Sequence, residues 1–346
     1  MDSTSALTRY VSEALSPFLE RRDTGLHAPA FDAAIDPHDP APRAILTHAH
    51  SDHAAAGHGE IWCTPETAGV YRRRNPEWTG TARLLSYGEA AEAAGITLRL
   101  VPAGHVLGSS QVLFTGGDRS LLFTGDFKLA IGRTAAPAES PRADVLITET
   151  TFGLPVFRFP DRRELERRLV EACHDAIARD LTPVALAYSF GKAQEVAAVL
   201  TEAEIPTVLH GAAWKLLPDF EAAGFRFPIS RPYEQGPPAA GEALIAPPSC
   251  ARSGMVRNLR RRRIVYCSGW ALREASRADV DADVLLPMSD HADFTELLAH
   301  VARVGARRVL TMHGYAHDFA RILSDRGVEA VPLPASSERP APVEER

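Results

Sequence analysis

His48-Ala49-His50-Ser51-Asp52-His53 sets three imidazoles and a carboxylate within six residues, directly after the apolar run RAILT at 43–47. A merely solvated loop has no use for histidine at that density. Neutral imidazole and carboxylate are the usual protein ligands of zinc and manganese. On a loop leaving a strand, side chains at i and i+2 converge on one ion while those at i+4 and i+5 reach a second. Two ions need more ligands, and other apolar runs end in them: His105 in PAGHVLGSSQ, Asp126 in FTGDFK and His313 in LTMHGYAH. An acid such as Asp126 can bridge two cations and lower their mutual repulsion. Taken singly, each of these three reads equally well as a satisfied histidine or a turn residue. Their shared place at the tip of an apolar run is what sets them apart. His27, His38, His58, His174, His210, His300 and His317 lack that place and read as structural or solvent-facing.

Outward from this stretch, RAILTHAH, ITLRLVPAGH, SQVLFTGG, SLLFTGDF and DVLITETTF each read as a strand with a polar, glycine-containing or acidic tip. TPETAGVYRRR reads as a helix capped by Thr64 with Pro65 at its first position. From about residue 161 the rhythm changes to helix (DRRELERRLVEACHDAIARD), strand (PVALAYSF), helix (GKAQEVAAVLTEA) and strand (IPTVLHG). That alternation implies a parallel sheet. Residues 225–249, rich in Pro and Gly, read as surface loop, and RRRIVYCSGW resumes a strand. The last part returns to strand tips bearing His and Asp, with Ser289 or Asp290 expected to cap the helix FTELLAHVAR. ASSERPAPVEER reads as a frayed tail.

Composition narrows the function classes. The 346 residues are 45% hydrophobic and 24% charged, average for a globular protein and enough for two domains. A formal net charge of −6 argues against coating nucleic acid by bulk charge, while leaving room for a local basic groove. Cys63, Cys173, Cys250 and Cys267 form no CxxC pair, so neither a disulfide framework nor a thiolate zinc site is indicated. No stretch reaches 18 apolar residues and the N-terminus lacks a secretory pattern, so the expected location is cytoplasmic, with no membrane partner.

Together HAHSDH, GHVLGSS, TGDF and the late histidine resemble the metallo-β-lactamase fold. The resemblance implies an α/β four-layer αββα sandwich. It also implies two divalent metal ions, zinc foremost and manganese as the alternative. His48, His50, His105 and Asp126 would surround one, and Asp52, His53, Asp126 and His313 the other, with Asp126 bridging. Three further places resemble the β-CASP branch, the nucleases of this fold: Glu149 in LITETTFG, His291 in SDHADF, and His313. In that branch the residue matching His291 is a proton donor to the leaving oxygen and the one matching Glu149 orients it, so Asp52, His291 and Glu149 are the expected catalytic residues. The expected chemistry is phosphodiester hydrolysis by a hydroxide held between the two metals.

The branch also carries an inserted β-CASP α/β domain that clamps nucleic acid over the metals. This predicts a discontinuous catalytic domain over 1–154 and 280–335, an insertion with a parallel sheet over 155–279, and a flexible tail over 336–346. YSFGKAQEV resembles a strand, Gly turn and helix of that insertion, so Ser189, Gly191 and Lys192, with Arg252 in APPSCARSGM, are the expected phosphate contacts. The run Arg260–Arg263 reads as a solvated basic face.

TETTFGLP, YSFGKAQE, HGA, APPS, CSGW and SDHADF are together similar to the bacterial DNA-ligase-associated exonucleases. That likeness implies a metal-dependent DNA nuclease, a single-strand exonuclease with 5′ preference. It would act in DNA repair beside an ATP-dependent DNA ligase and a helicase, with endonuclease action left open. His313 is the residue that RNA-acting β-CASP proteins carry at the third motif, so a β-CASP RNA nuclease is the first alternative and RNA the alternative partner. A small-molecule metallo-hydrolase is the second.

Overall fold

The strand Ile96–Pro102 shows how this chain builds its layers: Leu98 and Leu100 face one way and are fully buried, while the side chains between them point to the opposite face. The structure, a computed structural model, describes residues 3–333; the tail read from 336–346 lies outside the described residues. The described residues form two compact units. One takes the chain up to Ile131, Ala135–Phe157 and from His291 on; the other takes Gly132–Thr134 and Arg158–Asp290.

The first unit holds two sheets. Six strands from Glu20–Arg22 to Thr81–Leu84 lie side by side in chain order. Seven more form the second sheet, in the order 329–332, 308–312, 145–149, 119–123, 110–116, 96–102 and 90–93. One hydrophobic cluster joins the facing sides. Ile35, Ile45 and Trp62 of the first sheet pack with Leu100, Phe114, Phe123, Ile147 and Leu310 of the second. The outer face of the first sheet is covered by the helix Pro65–Arg74, through Ala68 and Tyr71 on Leu46, Ile61 and Cys63. The outer face of the second is covered by Phe294–Val304 and Ala316–Ser324, through Leu297, Val301, Phe319 and Leu323. Helix, sheet, sheet, helix is the expected αββα sandwich. It arises because each sheet is apolar on both faces and must bury both.

Strand direction then gathers the chemistry. Ala33–Ile35 and Arg43–Ile45 run parallel to each other, as do Arg119–Phe123, Val145–Glu149 and Arg308–Met312. Asp36, His48, Asp126, Glu149 and His313 therefore stand at or just past the C-terminal ends of neighbouring parallel strands, the usual place for ligands in such sheets.

The second unit is a six-stranded sheet whose pairings are all parallel. It corrects the reading of 225–249 as surface loop. Ala243–Ala246 is a fully buried strand lying between Thr207–Leu209 and Thr182–Leu186, its four residues short enough to be masked by the flanking Pro and Gly. The unit boundaries also differ from those read in the sequence. Val284–Leu286 pairs with Arg262–Cys267 and so belongs here and not after a boundary at 279. The segment Gly132–Thr134 joins this unit through charge: Arg133 meets Glu166 at 2.6 Å, its amide donates to Glu195 at 2.8 Å, and Thr134 Oγ1 donates to Glu195 at 2.9 Å. Long-range ion pairing of this kind leaves no periodic trace in a sequence. The cap of Phe294–Val304 is likewise Asp293, in a capping box with Glu296, and neither Ser289 nor Asp290. No helix among the described residues is long and apolar enough to cross a membrane.

Candidate metal centre

The loop after Arg43–Ile45 turns sharply, with His53 and Ala54 amides donating to the His50 carbonyl at 3.1 and 2.8 Å, and this folds the HAHSDH side chains to one side. Gly125 allows the facing loop to come close. At φ +53 it sits in left-handed space, and a Cβ there would lie 2.7 Å from Thr47 Cβ. Asp126 follows immediately and enters the histidine cluster.

One atom organises the centre. Asp126 Oδ2 lies 3.3 Å from His53 Nε2, 3.6 Å from His48 Nε2, 3.8 Å from His105 Nε2 and 3.9 Å from His291 Nδ1. His105 Nε2 is also 3.0 Å from His50 Nδ1. Donor atoms of His48, His50, His105 and Asp126 all fall within 4.8 Å of one another, as do those of Asp126, Glu149 and His291. Asp52 approaches from the rim, its Oδ2 3.8 Å from His53 Nε2 and its side chain 30% exposed. The His313 ring lies 5.9 Å from that of His53. The structure thus brings together His48, His50, His53, His105, Asp126, Glu149 and His291 tightly, with Asp52 and His313 at the side where His53 faces.

These residues fit a divalent cation. His48 Nε2 is fully buried without a hydrogen-bond partner, in a cluster whose other members are mostly acceptors or further imidazoles. Such an atom is costly unless an electrophile meets it. Burial and the neighbouring His53 and His105 push the His48 imidazole well below its ordinary value, and burial and His53 also lower His313. Both are therefore neutral, the form that ligates. Burial would raise the Asp126 carboxyl, but the charges of His53 and His291 outweigh it and hold the group ionised. Burial likewise opposes charge on His53, and there the carboxylates of Asp126 and Asp52 prevail and raise it.

Sequence reading missed the support beneath the cluster. Asp36 accepts from the Thr47 amide at 2.8 Å and from Thr47 Oγ1 at 2.6 Å, and its Oδ2 lies 2.9 Å from His53 Nδ1. Thr47 Oγ1 in turn lies 3.0 Å from His48 Nδ1. Both Nδ1 atoms are thereby occupied, which turns both Nε2 atoms inward. The signal was present: Asp36 ends the apolar run AAI, as Asp126 ends SLLFTG.

His291 and Glu149 form a second constellation. His291 Nδ1 lies 3.0 Å from Glu149 Oε2 and 3.1 Å from Oε1. Glu149 also accepts from the Phe127 amide at 2.8 Å and from Thr151 Oγ1 at 2.5 Å, so its carboxylate is fixed on three sides. Phe152 meets the His291 ring edge-on at 6.1 Å. His313 is held in left-handed space at φ +58, with Gly314 following at φ +51, and the Thr150 hydroxyl donates to its carbonyl at 2.5 Å. A non-glycine residue in that region is strained, and strain of this kind concentrates at functional sites.

The expected phosphate contacts lie in the second unit. Ser189 and Gly191 precede the helix Lys192–Glu202; Gly191 is at φ +86 and its amide donates to Gln194 Oε1 at 2.8 Å. Ser189 Oγ is buried without a partner. Lys192 departs from expectation. Its side chain is 2% exposed and its ammonium meets Asp290 at 2.6 Å, because a buried lysine must be paired to remain charged. Arg252 is exposed and donates to the Ala278 carbonyl at 2.9 Å.

No family model matches the chain. Over 310 residues, 88% of its length, the chain is 39% identical to the "Probable DNA ligase" of Opitutus terrae, and the match spans 30% of that protein. It is 28% identical over 370 aligned positions to the transcription termination factor FttA of Thermococcus kodakarensis, covering 79% of this chain and 57% of that one. An RNase J-like protein of Methanocaldococcus jannaschii is 29% identical over 203 residues, covering 51% and 46%. The chain therefore spans from under a third to somewhat over half of these curated relatives. Among solved structures, a protein of unknown function from Enterococcus faecalis superposes with a TM-score of 0.61 at 17% identity, covering 86% of this chain and 80% of that one. With an αββα sandwich, a parallel α/β unit inserted in its sequence and these likenesses, the chain has the β-CASP metallo-β-lactamase fold.

Proposed function

We propose that the protein is a metal-dependent nuclease that hydrolyses phosphodiesters of single-stranded DNA, as an exonuclease with 5′ preference, and that it works in repair beside an ATP-dependent DNA ligase and a helicase. The observation that carries the reading is the convergence of four imidazole nitrogens on Asp126 Oδ2 within 4 Å, one of them that of His291, which is itself held by the Glu149 carboxylate. In this reading His48, His50, His105 and Asp126 hold one cation, and Asp52, His53, Asp126 and His313 the other. Two divalent ions, zinc or manganese, would supply Lewis acidity at the phosphate and acidify a water for attack.

The chain's own residues do the rest. Asp36 and Thr47 keep the ligating nitrogens of His53 and His48 turned inward. Glu149 holds the proton on His291 Nδ1 and favours the imidazolium, whose Nε2 gives a proton to the departing oxygen. Departure of an alkoxide is thereby made less costly. Ser189, with its unpartnered buried hydroxyl, and the Gly191 turn hold a backbone phosphate. Arg252 adds charge at the surface, and Lys192 takes part only by exchanging Asp290 for phosphate.

DNA is preferred because the relative matched over 88% of this chain is named for DNA ligation. RNA is the second reading, favoured by the RNase J-like relative and by His313. A single-stranded DNA and an RNA of identical sequence, both 5′-labelled, separate the two when incubated with metal-loaded protein, with Asp52→Ala protein as the contamination control. The proposal expects degradation of the DNA, lost in the variant. Degradation of RNA alone overturns the DNA assignment, and turnover of a thioester or lactone with neither strand touched overturns the nuclease.

A further inference from the structure

The helix Pro65–Arg74 ends in Tyr71-Arg72-Arg73-Arg74 and is followed by Asn75-Pro76-Glu77-Trp78. A helix C-terminus carries about half a negative charge, which a single guanidinium more than balances. Three in succession carry more than two units of charge beyond it.

Two observations give this turn a direction. Arg74 Nη1 donates at 2.6 Å to the carbonyl of Ala49, the residue between His48 and His50, so the arginine turn abuts the histidine loop. Trp78 is half-exposed and rigidly set: its Nε1 donates to the His58 carbonyl at 2.5 Å, and its ring crosses that of Tyr71 at 5.1 Å and 88°. Tyr71 is itself buried and donates to the Ala55 carbonyl at 2.9 Å. The guanidinium carbon of Arg72 lies 5.8 Å from the Trp78 ring centre, and Arg72 and Arg73 are exposed.

A fixed aromatic face beside exposed guanidinium groups is the combination that holds single strands regardless of sequence. Charge follows the backbone and the π face stacks a base, which a paired duplex does not offer. On a chain of net charge −6, attraction for a polyanion has to be local, and this turn supplies it in the same unit as the centre. We propose that Arg72, Arg73 and Trp78 form a second contact for a single-stranded nucleic acid, in which the arginines take backbone phosphates and the tryptophan takes a base. The inference rests on the nuclease reading and extends it to residues that reading does not use.

The test is the salt dependence of binding, measured by fluorescence anisotropy of a labelled phosphorothioate single strand with the full metal-loaded chain. Each phosphate contact adds about 0.7 to the slope of log affinity against log salt, so Arg72→Gln with Arg73→Gln lowers the slope by about 1.4. Trp78→Phe keeps the slope while weakening binding, and Arg9→Gln, an exposed arginine of the helix Ser3–Leu15, changes neither. An unchanged slope in the double variant overturns the inference, as does a loss confined to a matched poly-glutamate probe, which would assign the turn to an acidic protein. Failure of the unaltered protein to bind any single strand is a different result, and it removes the nuclease reading itself.

Discussion

Asp36→Asn separates the ligands from what holds them. The carboxylate accepts from the Thr47 amide through Oδ1, and through Oδ2 it meets Thr47 Oγ1 and His53 Nδ1. An asparagine must keep its oxygen on the Thr47 amide, since the other orientation would point its NH2 at that backbone N–H. Its NH2 then points at His53 Nδ1, which must become an acceptor. In the neutral form that ligates, the tautomer flips, and the proton moves to the Nε2 that faces Asp126 and Asp52. Asn tolerates the left-handed backbone that Asp36 occupies at φ +41, and its shape is that of Asp, so the fold survives. Loss of an orienting partner of this kind typically costs 10- to 100-fold in metal affinity, about 1.4 to 2.7 kcal/mol. The assay is competition for zinc with a chromophoric chelator, with circular dichroism as the check on folding. Unaltered affinity in a folded Asp36→Asn protein would refute the role given to Asp36.

His50→Ala and Asp52→Ala should each lose metal and nuclease activity together, read by elemental analysis of purified protein beside a cleavage assay. His291→Ala should keep its metal while turnover falls by about 10²- to 10⁴-fold; metal loss there would make His291 a ligand, in line with its place beside Asp126 and Glu149. His300 gives a pH signature apart from the centre. Burial, with a smaller contribution from Arg303, pushes its imidazole down to about 3, whereas in the unfolded chain it titrates near its ordinary value of 6.5. Between those values the unfolded state binds the proton and the folded state refuses it. Stability is therefore present above pH 6.5 and falls as pH drops towards 3, by up to about 5 kcal/mol at 1.36 kcal/mol per unit. Denaturant unfolding from pH 7 to 4 should show that slope, and His300→Gln should flatten it.

The histidine and carboxylate cluster was legible because five of its members announce themselves locally. His48, His50, Asp52 and His53 lie in one short run, and Asp126 ends an apolar run. His291 and Glu149, 142 positions apart in the chain, lie within hydrogen-bonding distance only because two strand ends and a helix start meet. Their pairing came from family resemblance, since no periodicity encodes it. The layers were legible from alternation in Ile96–Pro102 and its neighbours, where a two-residue period survives. Ala243–Ala246 was not, since four buried apolar residues between prolines and glycines carry no period at all. Lys192 shows the other limit. Its place at a helix start suggested a phosphate contact, while the buried Asp290 that engages it lies 98 positions away. Asp36 was overlooked for a different reason: a lone acid at the end of a strand is common, and only the geometry reveals that it serves two histidines.

The most direct measurement is the rate of single-stranded DNA hydrolysis by chelator-stripped protein as zinc or manganese is returned in known equivalents. Without metal no hydrolysis is expected, with a rise to a plateau at two equivalents per chain that is absent throughout in Asp52→Ala. Hydrolysis that survives stripping, or metal uptake at the histidine centre with no hydrolysis of any strand, would contradict that expectation.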